Sequence, residues 1–283
     1  MKKYIFYLFV IATILISPAD SYTAELKIHF FDVGEGEAIL VVAPNGATAM
    51  IDAGNLAAGY RLAEKLDTLG VKKLTHMIFT HHHIDHIGGA FNIVQKFSPD
   101  HLYDNEQDLT NKMKKSDPHR WYSDLVRDKE KYKPLKAGDS VMLGSVRLKV
   151  IWPKSPDHAG FNQNSIVLIV EYGKFRALLT GDLVQESEKE LLLTGGDISA
   201  SVLKVGHHGS IHGSGDDFLK AVSPRTAIIS VNQNNIRGYP SSTVIERIKS
   251  LGVKLYRTDM DGDITVTVSR DGKYAVSTES ESR

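Results

Sequence analysis

The chain has 283 residues, 42% of them hydrophobic, which is enough for a sizeable core in one large α/β domain or two small ones and argues against disorder. Lys+Arg and Asp+Glu both number 34, so no overall charge excess demands a nucleic acid or an anionic membrane as partner, and any electrostatic preference must be local. With no cysteine, a disulfide framework and a thiolate metal site are excluded; imidazole and carboxylate remain for any metal, and these suit zinc, manganese or iron.

In chain order, Lys2 and Lys3, an apolar run over residues 4–16, Pro18, and the small residues Ala19 and Ser21 around Asp20 read as an export signal covering residues 1–21. The run is shorter than the roughly 20 residues of a spanning helix, which favours cleavage over an anchor and places the protein in the periplasm or outside the cell. A single domain is expected over residues 24–283. Strand patterns follow at residues 26–32, 38–43 and 47–52, the last two joined by the turn Pro44-Asn45-Gly46, so a hairpin ends on Asp52. A helix is predicted over residues 56–69 and stopped by Gly70, and a short buried strand over residues 76–80 leads into His81. After a helix at 90–97 and a polar middle section, a second hairpin at 165–172 and 175–180 closes on Gly181 and Asp182. Helices at 186–193, 216–222 and 243–251 then alternate with strands at 200–205, 226–231, 253–257 and 264–268, a pattern that argues for sheets covered by helices. Two hairpins, each ending on an aspartate, suggest two similar halves packed face to face.

The strongest chemical signal is Thr80-His81-His82-His83-Ile84-Asp85-His86 at the end of a buried strand. Along an extended loop His81 and His83 point the same way and can share one metal, while Asp85 and His86 turn toward a neighbouring position. Gly88 and Gly89 then let the chain bend tightly into the next helix. A polar surface loop rich in histidine is the competing reading, weakened by the preceding strand, the intervening aspartate and the following glycines. Asp32 and Asp52 are either turn formers or, for Asp52, the acceptor of a hydrogen bond that fixes a ligand histidine's tautomer.

This His-x-His-x-Asp-His loop resembles the signature of the metallo-β-lactamase superfamily. More narrowly, Phe31-Asp32-Val33-Gly34-Glu35-Gly36-Glu37-Ala38, Ile51-Asp52-Ala53-Gly54, Asn164-Ser165-Ile166-Val167-Leu168, Leu179-Thr180-Gly181-Asp182, Leu203-Lys204-Val205-Gly206-His207-His208-Gly209-Ser210 and Arg257-Thr258-Asp259 resemble the extracytoplasmic hydrolase domain of ComEC-type DNA-uptake proteins. The resemblance implies an α/β fold of four layers, an αββα sandwich, with His81 and His83 on one metal, Asp85 and His86 on a second, Asp182 bridging, and a last ligand from His207-His208. Alignment on the histidine before glycine makes His208 the ligand and leaves His207 facing the substrate, although adjacent histidines can exchange these roles. Two departures stand out: Asn162 to Asn164 occupy a place where many relatives have a histidine, and Tyr239 precedes Pro240 where the DNA-uptake relatives tend to have one.

No Ser-His-Asp order or cysteine nucleophile is visible, so attack by metal-activated water, with Asp85 orienting it and His207 contacting phosphate or the leaving oxygen, is the simplest expectation. Two divalent ions, zinc or alternatively manganese, are implied. The fold alone supports many hydrolyses. A phosphodiester is preferred, partly because residues 112–136 gather Lys112, Lys114, Lys115, Arg120, Arg127, Lys129, Lys131, Lys133 and Lys136 around Trp121, Tyr122 and Tyr132, a mixture suited to a DNA backbone and its bases. The same stretch also reads as an ordinary solvated pair of helices, since Asp117, Asp124, Asp128 and Glu130 dilute its charge. Esters of another class, such as phosphocholine esters on surface polymers, and a non-catalytic metal-binding module are the alternatives.

Overall fold

Alternation of apolar side chains along the strands sets the layering. The computed structural model describes residues 25–109, 117–127 and 130–282, so the expected export signal lies outside the described residues. The first half contains β1 (Leu26–Phe30), β2 (Ile39–Val42), β3 (Thr48–Ile51), α1 (Ala58–Thr68), β4 (His76–Ile78), α2 (Ile84–Ile87), α3 (Ala90–Phe97), β5 (His101–Asp104), α4 (Pro118–Tyr122) and β6 (Tyr132–Pro134). The second contains β7 (Ser140–Leu143), β8 (Val146–Trp152), β9 (Val167–Tyr172), β10 (Phe175–Leu179), α5 (Gln185–Leu193), β11 (Val202–Lys204), α6 (Asp216–Val222), β12 (Thr226–Ile229), α7 (Ser242–Ser250), β13 (Lys254–Arg257) and α8 (Thr258–Asp261). The chain then returns to the first sheet through β14 (Ile264–Val268) and β15 (Tyr274–Thr278).

One sheet has the order β15-β14-β1-β2-β3-β4-β5-β6 and the other β13-β12-β11-β10-β9-β8-β7. Ile39, Val41, Leu168 and Val170 face the space between the sheets and form its core with Phe30 and Leu179. Their neighbours Leu40 and Met50 face outward under Leu62, Leu66, Ile93 and Phe97 of α1 and α3. Likewise Val167 and Ile169 face outward under Leu191, Phe218, Leu219 and Ile248 of α5, α6 and α7. Two sheets, each hydrophobic on both faces, therefore require a helical cover on each outer side, giving the expected αββα sandwich.

Topology also places the chemistry. β3 runs into Asp52 and pairs in parallel with β4, which leads to Thr80 and His81. In the other sheet β10 leads to Asp182 and pairs in parallel with β11, which leads to Gly206, His207 and His208. Parallel neighbours deliver their carboxyl ends to the same edge, where α/β sheets bind ligands.

Strands β5, β6, β7, β8 and β15 come in addition to those expected from the sequence pattern. In β8, Val146, Leu148, Val150 and Trp152 are buried while Arg147 is exposed, a period-two signal hidden by the polar residues around it. The histidine loop is extended only to His83. Ile84 starts α2, with the N–H groups of His86 and Ile87 donating to the His83 carbonyl at 3.0 and 3.1 Å.

Candidate metal centre

Asp52 is the anchor of the first half of the site. It is buried, has a positive φ of 55°, and its carboxylate accepts from the Thr80 N–H at 2.8 Å, the Thr80 hydroxyl at 2.7 Å and His86 Nδ1 at 2.7 Å. Asp52 is thus the tautomer-fixing acceptor of the two readings open in the sequence, whereas Asp32 accepts from the Gly34 N–H at 3.0 Å and forms a turn. The Thr80 proton is spent on Asp52, so the 3.1 Å contact between Thr80 Oγ1 and His81 Nδ1 is donated by the imidazole. His208 Nδ1 donates to the Ser230 carbonyl at 2.9 Å. Three imidazoles therefore use their Nδ1 protons outward and turn their Nε2 lone pairs inward.

These lone pairs meet acids and one another. His86 Nε2 and His208 Nε2 are 3.4 Å apart, and each is 3.3 Å from Asp182 Oδ1. His81 Nε2 lies 3.1 Å from His83 Nδ1 and 3.7 Å from Asp182 Oδ2, while Asp85 Oδ2 lies 3.7 Å from His208 Nε2. The structure thus brings His81, His83, Asp85, His86, Asp182 and His208 together. His207 stays outside, although it is the adjacent residue. Both histidines have positive φ, 49° and 53°, a costly backbone for non-glycine residues, and this twist sends one ring to Asp182 and the other into the cleft.

The donor set fits divalent ions. Facing lone pairs and carboxylates repel unless a cation lies among them, and the buried atoms Asp182 Oδ1 and Asp85 Oδ2 make no hydrogen bond of normal geometry within the protein. Two groups of donors lie close enough to share an ion: His81, His86 and Asp182, and Asp85, His86 and His208. The electrostatics agree. Burial would lower the basicity of His86, but Asp182 and Asp52 carry it well above the usual imidazole range. Burial would raise Asp182, but His208 and His86 hold its carboxyl well below the usual range. Burial, with His86 beside it, pushes His81 well down. The pocket is arranged for positive charge, and nitrogen and oxygen donors suit zinc or manganese.

Supporting contacts absent from the sequence reading hold the loop. Asp104, at the end of β5, is fully buried and accepts from His82 Nε2 at 3.0 Å, Tyr122 Oη at 3.0 Å, Tyr132 Oη at 2.7 Å and Arg127 Nε at 2.8 Å. Burial opposes its ionisation, but His82 and Arg127 hold it well below the usual carboxylate range. His119 adds a hydrogen bond from Nε2 to the His82 carbonyl at 2.8 Å. Within the stretch read as basic and aromatic, Tyr122, Arg127 and Tyr132 therefore turn inward to brace the metal loop, while Arg120, Lys133 and Lys136 are exposed. Lys112, Lys114, Lys115 and Lys129 lie outside the described residues.

The cleft above the cluster is lined by His83, His207, Asn162, Tyr239, Asp85 and Arg237. Asn162 Nδ2 is 3.2 Å from His207 Nε2, and Tyr239 Oη is 3.5 Å from the same atom, so both positions singled out as departures face the site. Arg237, two residues before Tyr239, places Nη1 3.7 Å from Asp85 Oδ2 and Nη2 3.4 Å from Glu35 Oε1. Its local sequence carries no distinctive pattern; only the fold brings it to the cluster.

The chain is similar to known proteins over most of its length. Residues 32–233 match the family described as the metallo-beta-lactamase superfamily. The chain is 30% identical over 272 residues to ComE operon protein 3 of Bacillus subtilis, covering 90% of this chain and 34% of that protein. It is 30% identical over 253 residues to competence protein ComA of Neisseria gonorrhoeae, covering 89% of this chain and 33% of that protein, so it spans about a third of the length of these relatives. The metallo-beta-lactamase fold protein YhfI from Bacillus subtilis superposes with a TM-score of 0.53 at 12% identity, over 89% of this chain and 99% of that one, a likeness of fold. With the family matched over most of its length and its layers those of the same fold, the chain belongs to the metallo-beta-lactamase superfamily.

Proposed function

We propose that the protein is an exported phosphodiesterase that uses two divalent ions, zinc or manganese, held by His81, His83, Asp85, His86, Asp182 and His208. The observation that supports it most directly is the convergence of inward lone pairs and carboxylates beside a guanidinium, Arg237, 3.7 Å from Asp85. A pair of ions there would lower the pKa of a bound water toward about 7 and neutralise charge on the oxygens of the attacked phosphoryl group.

The chain's own residues supply the rest. Asp85 Oδ2, which has no conventional hydrogen-bond donor within the protein, accepts a proton of the attacking water and orients it. Arg237 donates to a non-bridging phosphoryl oxygen, the geometry for which a guanidinium is suited. Burial pushes the His207 imidazole down to about 4, so at neutral pH it is uncharged and contacts the phosphoryl group through an N–H. In the overall step a phosphorus–oxygen bond forms to water, the ester phosphorus–oxygen bond breaks, and a water proton passes to the departing alkoxide. The names of the competence relatives support DNA as the natural substrate, with Arg120, Lys133 and Lys136 as backbone contacts.

The test is direct. Purified protein is expected to contain up to two equivalents of divalent metal and to cleave bis(4-nitrophenyl) phosphate in a chelator-sensitive manner, with Asp182→Ala inactive. Full turnover by that variant would discard the mechanism. Turnover of phosphocholine esters but not of DNA would move the assignment to that ester class, and tight metal binding without turnover of any ester would leave a binding module.

A further inference from the structure

Two cavities, of about 520 and 550 Å³, open onto the metal centre. Each falls in the size range of a small-molecule site, roughly 300–1,000 Å³. Of their lining residues only His83 and His207 are common, so they are two arms of the cleft above the cluster that meet at the candidate reaction centre. The first is lined by Phe161, Asn162, Gln163 and Gln185, and the Phe161 ring packs 5.3 Å from the His83 ring. The second is lined by Tyr239, Asn55, Arg237 and Glu35, and the Tyr239 ring packs 5.4 Å from the His207 ring. Each cavity therefore offers an aromatic ring beside the centre, with the Asn162 and Gln163 side-chain amides in the first and the Arg237 guanidinium in the second, where the Asn55 amide is spent on the Glu35 carbonyl and the Ala58 N–H.

We infer that the substrate is a diester with a nucleoside-sized group on both sides of the phosphorus, an internal linkage of a single-stranded polynucleotide, one arm lying in each cavity. This rests on the phosphodiesterase reading above. In-line displacement at phosphorus leaves the two ester arms pointing apart, and two cavities joined only at His83 and His207 match that divergence. An aromatic face with a neighbouring hydrogen-bonding side chain, an amide in the first cavity and a guanidinium in the second, recognises an unstacked base through stacking and edge hydrogen bonds. Bases within a duplex are stacked and paired, so entering separate cavities costs a few kcal/mol that a single strand is spared. Arg237 lines the second cavity beside Asp85, next to the shared residues His83 and His207, and from there reaches the phosphate.

The experiment compares thymidylyl-(3′→5′)-thymidine with thymidine 5′-(methyl phosphate), whose second arm is only a methyl group, on the zinc-loaded protein. Their phosphorothioate analogues serve as ligands in equilibrium binding, so that occupancy is read apart from turnover. The dinucleotide is expected to show at least about tenfold higher kcat/KM and tighter binding. Phe161→Ala is expected to reduce that preference by roughly five- to 150-fold, the size of one base–aromatic stack. Phe161→Leu keeps apolar packing against the histidine loop and is expected to lose the preference as well, while retaining bound zinc. Equal kcat/KM and equal binding of the two compounds, or cleavage of duplex DNA as fast as single strands, would overturn the inference. Absence of turnover of any diester by the zinc-loaded protein would instead remove the phosphodiesterase reading; the binding comparison then decides the two-cavity inference by itself.

Discussion

Asp52 shows how a residue governs a candidate ligand from behind. Its carboxylate accepts three hydrogen bonds, one of which fixes the His86 ring with Nε2 inward, while Thr80 passes the same constraint to His81. Asp52→Asn removes the charge and replaces one acceptor with a donor, releasing the His86 tautomer. Metal affinity, read by competition with a chromophoric chelator, is expected to fall by about 10- to 100-fold, as for other losses of a partner behind a ligating histidine. Unchanged affinity would show that the ring is held by packing alone. At this scale the sequence was informative about which residue types gather but not about their orientation. The family resemblance put His208 ahead of His207 by its place before glycine, whereas the two successive left-handed residues that send only the His208 ring to Asp182 are announced by no local pattern. Arg237 and Asp104 were invisible for a related reason: each matters through a contact far along the chain.

The elements were legible where periodicity was clean. The two hairpins ending on Asp52 and Asp182 and helices α1, α3, α5, α6 and α7 were all readable, because each buries one face against a sheet. Short strands such as β5 and β6 were not, since three or four residues of mixed polarity carry too little pattern. The joint between α5 and α6 rests on Glu188, a buried side chain whose Oε1 accepts from the Ser214 N–H at 2.5 Å and whose Oε2 accepts from the Gly215 N–H at 2.9 Å. Burial pushes its carboxyl from 4.5 up to about 7, outweighing the lowering effect of those hydrogen bonds. The folded value lies above the unfolded one. Its contribution to stability is therefore complete below about pH 4.5 and is lost as pH rises through about 7. The stability advantage of wild type over Glu188→Gln, measured by urea unfolding, is accordingly expected to be larger at pH 5 than at pH 8. A difference independent of pH would mean that Glu188 stays ionised throughout. The Asp104 cluster is a second joint, tying α4 and β6 to the metal loop. Asp104→Ala leaves Arg127 and His82 without their acceptor, and a loss of about 3–5 kcal/mol in unfolding free energy is expected.

At the scale of the whole molecule, the two sheets must be held in register at the edge where they share a site. A buried ion pair between Glu37, in the loop after β1, and Lys204, the last residue of β11, spans them. Lys204 also donates to the Gly181 carbonyl at 3.2 Å, next to Asp182, and the Glu37 N–H donates to the Asp85 carbonyl at 3.2 Å. Close approach is built in there, because a Cβ on Gly36 would stand 1.9 Å from that same carbonyl oxygen. The pair thus sets the spacing between the acid of one half and the acid of the other. Desolvating two charges costs about as much as their attraction returns, so net stability is a weak reason for such a pair, and alignment of the site is the stronger one. The two roles separate experimentally. Lys204→Met strands Glu37 in the interior and is expected to cost about 3–5 kcal/mol in urea unfolding, whereas the double variant Glu37→Leu with Lys204→Met is expected to recover most of that loss. If the pair positions the site, metal affinity remains weakened in the double variant although the fold is restored. Recovery of both together would show that the pair serves stability alone.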